Sequence, residues 1–223
     1  ALTTQVVPAG SLLWDADTVT AGAQDGAGTW DATSTSRWFN GSTNQTWGNP
    51  ASPGNIARFG AGRTSRTETL AATMNAGGLY FTQGGYILSG GTLNLSPGTG
   101  NTFLYSTNGG SSTINSTITS AGGTLITKTG AGTLNLTTGG GGSGSSPAFY
   151  TITGGAFNNT SGTFDSILAM PAANRLGAQA TTPTLVLTLD AGTLQITSAT
   201  GNALAANRKV QINAAGGAIS DFG

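Results

Sequence analysis

The chain has 223 residues, no cysteine, no histidine, and 8 basic residues balanced by 8 acidic ones. Charged residues make up 7% of it, against about 25% in an ordinary soluble domain, which excludes the clustered Lys and Arg of a nucleic-acid or anionic-membrane binder. Disulfides, thiolate metal sites and redox thiols are excluded outright, the commonest general base is missing, and no apolar run approaches the ~20 residues of a membrane helix.

The chain opens with "ALTTQVV" at residues 1–7, an alternating stretch suited to a strand that pairs with a neighbour's sheet edge. The start at Ala1 fits either removal of a signal peptide or a trimmed N-terminus. Residues 1–64 differ from the rest and are expected to form a cap unit. They hold all four tryptophans, Trp14, Trp30, Trp38 and Trp47, and the acids Asp15, Asp17, Asp25 and Asp31. The indoles are expected to be the core of that unit, with a sugar-stacking platform as the alternative. The acids suit turns and caps. "DAD" resembles the opening of a calcium loop, but the Gly and Glu of such a loop are missing.

From residue 65 to residue 223 the text is rich in Gly, Thr and Ser, a composition that alone would fit a linker. Periodicity argues otherwise. Short alternating runs lie between Gly and Asn: "GGYILSGGTLNLSPG", "STINSTITSAGGTLITKTG", "TPTLVLTLDAGTLQITSATG" and "RKVQINAAGGAIS". Alternation over four to seven residues between turn signals predicts strands. A motif Gly-Thr-Leu-x-apolar recurs at residues 91–95, 132–136 and 192–196, and loosely at 123–127. In "GTLNL", Leu134 and Leu136 share one face and Asn135 takes the other.

Recurrence of one motif at strand starts predicts stacked coils, with leucines over leucines inside and Thr and Asn ladders outside. Leu93, Leu95, Leu134, Leu136, Leu187 and Leu194 are expected inside. About eight coils of roughly 20 residues would fit after residue 65. Lys128 and Arg208 lie within strand patterns and Arg175 before one; each is expected on a solvated outer face. "TTGGGGSGSSPAF", residues 137–149, is expected to be a loop, and "DSILAMPAANRLG" offers one helical turn that Pro171 interrupts. The pairs Thr117–Thr119, Thr127–Thr129 and Thr151–Thr153 are too irregularly spaced to predict a stacked, ice-binding Thr array.

"LITKTGAGTLNLTTGG", over residues 125–136, resembles the passenger-associated repeat of autotransporter proteins, whose consensus runs close to L-x-K-x-G-x-G-T-L-x-L. "GTWDATSTSRWFNGSTNQTWGNP", "NRLGAQATTPTLVLTLDAGTLQIT" and "LAANRKVQINAAGGAI" are similar to autotransporter-associated β-strand proteins of environmental bacteria. The resemblance implies an all-β chain, a right-handed parallel β-helix, secreted to the cell surface or extracellular space and without catalytic activity of its own. The family carries no catalytic motif. One departure is that no translocator barrel or anchor is visible in this text.

Catalytic, cofactor-binding and metal-binding residues are therefore all expected to be absent, with no cofactor. Asp165 and Asp190 are the one pair that a single coil's separation brings into question for a polysaccharide-degrading enzyme. The expected role is structural: a β-solenoid that builds a filament by head-to-tail association with itself. A glycan-binding adhesin is the alternative.

Overall fold

The computed structural model describes residues 8–51, 53–62, 66–98, 101–106, 110–120, 125–130, 132–136, 149–153, 156–159, 184–190, 192–196 and 208–221, with the strands between 149 and 196 described chiefly by their backbones. Every regular element among them is a strand. The Trp-rich region supplies β1 (Leu12–Trp14), β2 (Gly28–Trp30), β3 (Trp38–Phe39), β4 (Asn44–Gln45) and β5 (Asn55–Phe59). Next come β6 (Thr67–Leu70), β7 (Thr73–Phe81), β8 (Ile87–Ser89), β9 (Thr92–Leu95), β10 (Asn101–Ser106), β11 (Ser111–Ile114) and β12 (Thr117–Ser120). The remainder are β13 (Leu125–Thr129), β14 (Thr133–Leu136), β15 (Phe149–Thr153), β16 (Ala156–Asn159), β17 (Thr184–Asp190), β18 (Gly192–Ile196), β19 (Arg208–Ile212) and β20 (Gly217–Asp221).

These strands form two sheets, and the chain visits them in alternation. The first runs β19-β17-β15-β13-β10-β7-β5-β1-β3-β4, with β9 and β12 extending from the first half of β7. The second runs β2-β6-β8-β11-β14-β16-β18-β20. All pairings are parallel except β1 with β3 and β3 with β4. Strands paired in parallel are therefore separated in the chain by at least one strand of the other sheet, as parallel pairing demands of the connection. Both sheets run through the expected boundary at residue 64: β1 pairs β5, β5 pairs β7, and β2 pairs β6.

Register builds the core in columns. Leu12, Ala57, Leu79, Leu104, Lys128, Ile152, Leu189 and Ile212 are consecutive partners across the first sheet. In the second, Ser112, Leu134, Phe157, Leu194 and Ile219 follow one another. Leu93, Leu95 and Leu134 are fully buried, as their alternation predicts; the side chains of Leu136, Leu187 and Leu194 lie outside the described residues. Each such leucine is worth about 1.5–3 kcal/mol of transfer free energy.

Coil length departs from expectation. The interval is 20 residues for Thr69 and Ser89, 24 for Leu104 and Lys128, and 37 for Ile152 and Leu189. Among the described residues the main path of the first sheet has six strands after residue 65, β7, β10, β13, β15, β17 and β19, with β9 and β12 beside it; about eight coils were expected. The extra residues include β9 and β12, which lay a third short strand beside the two sheets' alternation.

Polar ladders line the outside. Asn94 Nδ2 donates to Asn75 Oδ1 at 2.8 Å, and Thr119 Oγ1 donates to Asn94 Oδ1 at 3.1 Å. Asn135 Nδ2 donates to Ser111 Oγ at 2.7 Å in the second sheet. The irregular Thr-x-Thr spacing hid a partial order. Thr127 and Thr129 pair in backbone register with Thr151 and Thr153, whereas Thr117 and Thr119 pair with Thr92 and Asn94. The expected loop over 137–148, the helical turn at 165–177 and the expected donor strand 1–7 lie outside the described residues; Phe149 opens β15.

Candidate functional site

The tryptophans are core. All four are buried, and their rings meet edge to face: Trp14 and Trp38 at 5.3 Å between centroids, Trp30 and Trp38 at 4.9 Å, Trp30 and Trp47 at 4.8 Å. Such edge-to-face pairs add stabilisation beyond their burial. Trp14 Nε1 donates to Gly26 O at 2.8 Å and Trp47 Nε1 to Asn75 O at 3.0 Å, so the long loops of this region hang on their indoles. Buried rings offer no platform to a sugar, which removes that alternative for this cluster.

Three of its four acids serve turns. Asp15 accepts from the backbone N–H groups of Asp17 and Gln24 and from Asn44 Nδ2. Asp17 accepts from Val19 N, and Asp31 from Ser34 N, Thr35 N and Thr35 Oγ1. Burial works against ionisation of Asp31, but the Thr35 and Ser34 donors outweigh it and hold its carboxyl below the ordinary value.

Asp25 belongs elsewhere. It is buried with Glu68 and Tyr86, beside the half-buried Arg66, where the first strands of the second sheet meet. Tyr86 Oη donates to Asp25 Oδ2, and Arg66 Nε lies 3.7 Å from the same oxygen. The guanidinium lies 5.2 Å from the Tyr86 ring centroid and also donates to Gly84 O and to Gln83 Oε1. Burial pushes the Asp25 carboxyl up, against the opposing pull of Tyr86 and Arg66. Glu68 is fully buried, neither carboxyl oxygen has a hydrogen-bond partner, and burial with the nearby Asp25 charge pushes its pKa up to about 9. The sequence carried a signal for this: in "TETL", Thr67 and Thr69 are exposed while Glu68 shares the inward phase of Leu70.

Lys128 corrects a second expectation. It does not face solvent; it is 1% exposed, because its strand register places it on Leu104 in the inward column. Its Nζ donates to Gly130 O at 2.6 Å and Gly132 O at 2.5 Å, tying the turn between β13 and β14 to the core. Burial pulls its pKa down to about 8. Gly130 makes that turn with φ +79°, and a Cβ there would collide with Ser106 O. The side chain of Arg208, and Arg175 altogether, lie outside the described residues. So does Asp165, and Asp190 closes β17 with only its backbone described.

The outer face of the first sheet carries aromatics that the sequence did not single out. Tyr80 and Tyr105 stack at 5.8 Å, and Phe103 beside them is 37% exposed. Tyr80 and Phe103 line a groove of about 260 Å³ with Pro8, Pro53, Ile56 and Pro97. At the far end of the stack Ile212 and Ile219 are exposed although their columns point inward. Among the described residues no group of three acids, histidines or cysteines is placed to hold a metal, and no helix is long and apolar enough to cross a membrane. Compared with family models, with curated proteins and with solved structures, the chain matches none of them.

Proposed function

We propose that the chain is a right-handed parallel β-solenoid of the passenger-associated-repeat type, secreted to the cell surface or extracellular space, which builds a filament by end-to-end self-association without catalysing a reaction. The observation that carries this is the exposure of Ile212 and Ile219 on β19 and β20, the outermost described strands of two parallel sheets. An inward column left uncovered is apolar surface beside unpaired N–H and C=O groups, and it favours a further layer of strand. Strand connections between parallel neighbours run right-handed in nearly all proteins, which supports the handedness. Where a second copy of the chain supplies that layer the contact is head-to-tail, and such contacts polymerise unless their rotation closes a ring.

The test is electron microscopy of purified protein with and without residues 1–7. Filaments from the intact chain support the proposal, and their loss on deletion assigns the neighbour's covering strand to residues 1–7. Monodisperse particles at high concentration overturn it.

A second function is favoured by Phe103, exposed beside the half-buried Tyr105: an adhesin whose outer sheet face stacks glycan rings. Glycan-array binding that Phe103→Ala abolishes would establish it.

A further inference from the structure

We propose that Glu68 is a proton-held latch between the Trp-rich first strands and the rest of the stack, closed while its carboxyl is neutral and released when it ionises. Glu68 pairs in register with Gly28 on one side and Leu88 on the other, inside the second sheet. Asp25 lies in the loop that leads into β2, so the two carboxyl groups belong to the two segments that must separate if β2 leaves β6. Among the described residues the groups facing Glu68 are these. Arg66 lies on its own strand, Asp25 before β2, and the Tyr86 phenol before β8. Arg37 Nη1 lies on the side of Gly28 where a side chain would project, the face it shares with Glu68, and donates to Ala16 O at 2.9 Å.

Arg66 is already committed to Asp25, Gly84 O and Gln83. Arg66 also attracts an ionised Glu68, but burial and the Asp25 charge outweigh that attraction, and neither Glu68 carboxyl oxygen has a hydrogen-bond partner. Isolated buried charge is expensive, and the group stays neutral or the structure opens. Its raised pKa agrees with this arrangement. Opening is local because β2 is the end strand of its sheet, held by β6 alone among the described strands. The tryptophans report it, since Trp30 is on β2 and packs on Trp38 and Trp47.

The experiment is a reversible titration of the intact protein from pH 6 to pH 10, read by Trp emission and by amide exchange corrected for intrinsic rates. A red shift with a one-proton midpoint near pH 9 is expected, with at least a tenfold rise in exchange at Gly28–Trp30 and none at β10. Glu68→Gln should abolish the shift, and Lys128→Met should keep it. A flat wild-type titration overturns the latch without any variant. An unchanged midpoint in Glu68→Gln, or a shift abolished by Lys128→Met, overturns it too. A shift that calcium reverses and a chelator restores would assign the pocket to a divalent cation and also overturn it.

Discussion

Leu189 and Ile212 are register partners on adjacent parallel strands, yet Leu189 is 0% exposed and Ile212 57%. The difference is one layer: β17 has a parallel neighbour on each side, whereas β19 has one among the described strands. Ile219 repeats the relationship on the second sheet at 44%. Inward position is thus decided by register, and burial by whether something stacks above.

The assigned faces predict unequal effects from neighbouring residues. Leu134→Asp places an unpaired carboxylate in the core and should cost several kcal/mol, comparable with the stability of a domain. Thr133→Ala, on the other face, should cost within about 1 kcal/mol. Denaturant midpoints of the two variants check this; equal losses would contradict the faces.

Trp38 touches Trp14, Trp30 and Trp47 as well as Phe59. Trp38→Ala should therefore destabilise the first strands by about 3–5 kcal/mol. Phe103→Ala, at an exposed ring, should stay within about 0.5 kcal/mol. Thermal melts followed by near-UV circular dichroism distinguish these outcomes.

Lys128 makes an alkaline prediction. Its folded pKa, about 8, lies below its ordinary 10.5. Between those values the unfolded chain holds the proton that the folded chain has released, so Lys128 makes stability rise with pH by up to about 1.4 kcal/mol per unit. The sign for Glu68 is opposite: its folded pKa of about 9 exceeds 4.5, so its contribution is fully present below pH 4.5 and is lost as pH rises to 9. Urea unfolding of Lys128→Met should lack the alkaline gain, and that of Glu68→Gln should lack the loss between pH 5 and 9.

Much of this architecture was legible as alternation. "TLNL" places Leu93, Leu95 and Leu134 inside, and "TETL" would have placed Glu68 there had its phase been followed. Lys128 was not legible, because "LITKT" has apolar residues in both phases, Leu125 and Ile126, and only pairing with Leu104 chooses between them. Coil length was hidden for a related reason: β9 and β12 carry the same text as sheet-forming strands but add a side to the coil. The Asp25 cluster joins residues 25, 66, 68 and 86, and contacts at such separation leave no local pattern.

The most direct measurement is sedimentation velocity across a hundredfold range of concentration, for the wild type and for a variant carrying Ile212→Lys and Ile219→Lys. Both substitutions lie at exposed positions and should leave the melting temperature nearly unchanged. Polymers that grow with concentration in the wild type, and a single 22.0 kDa species in the variant, are the predicted result. A wild type that remains monomeric throughout, or a variant that polymerises equally well, would contradict association through this end.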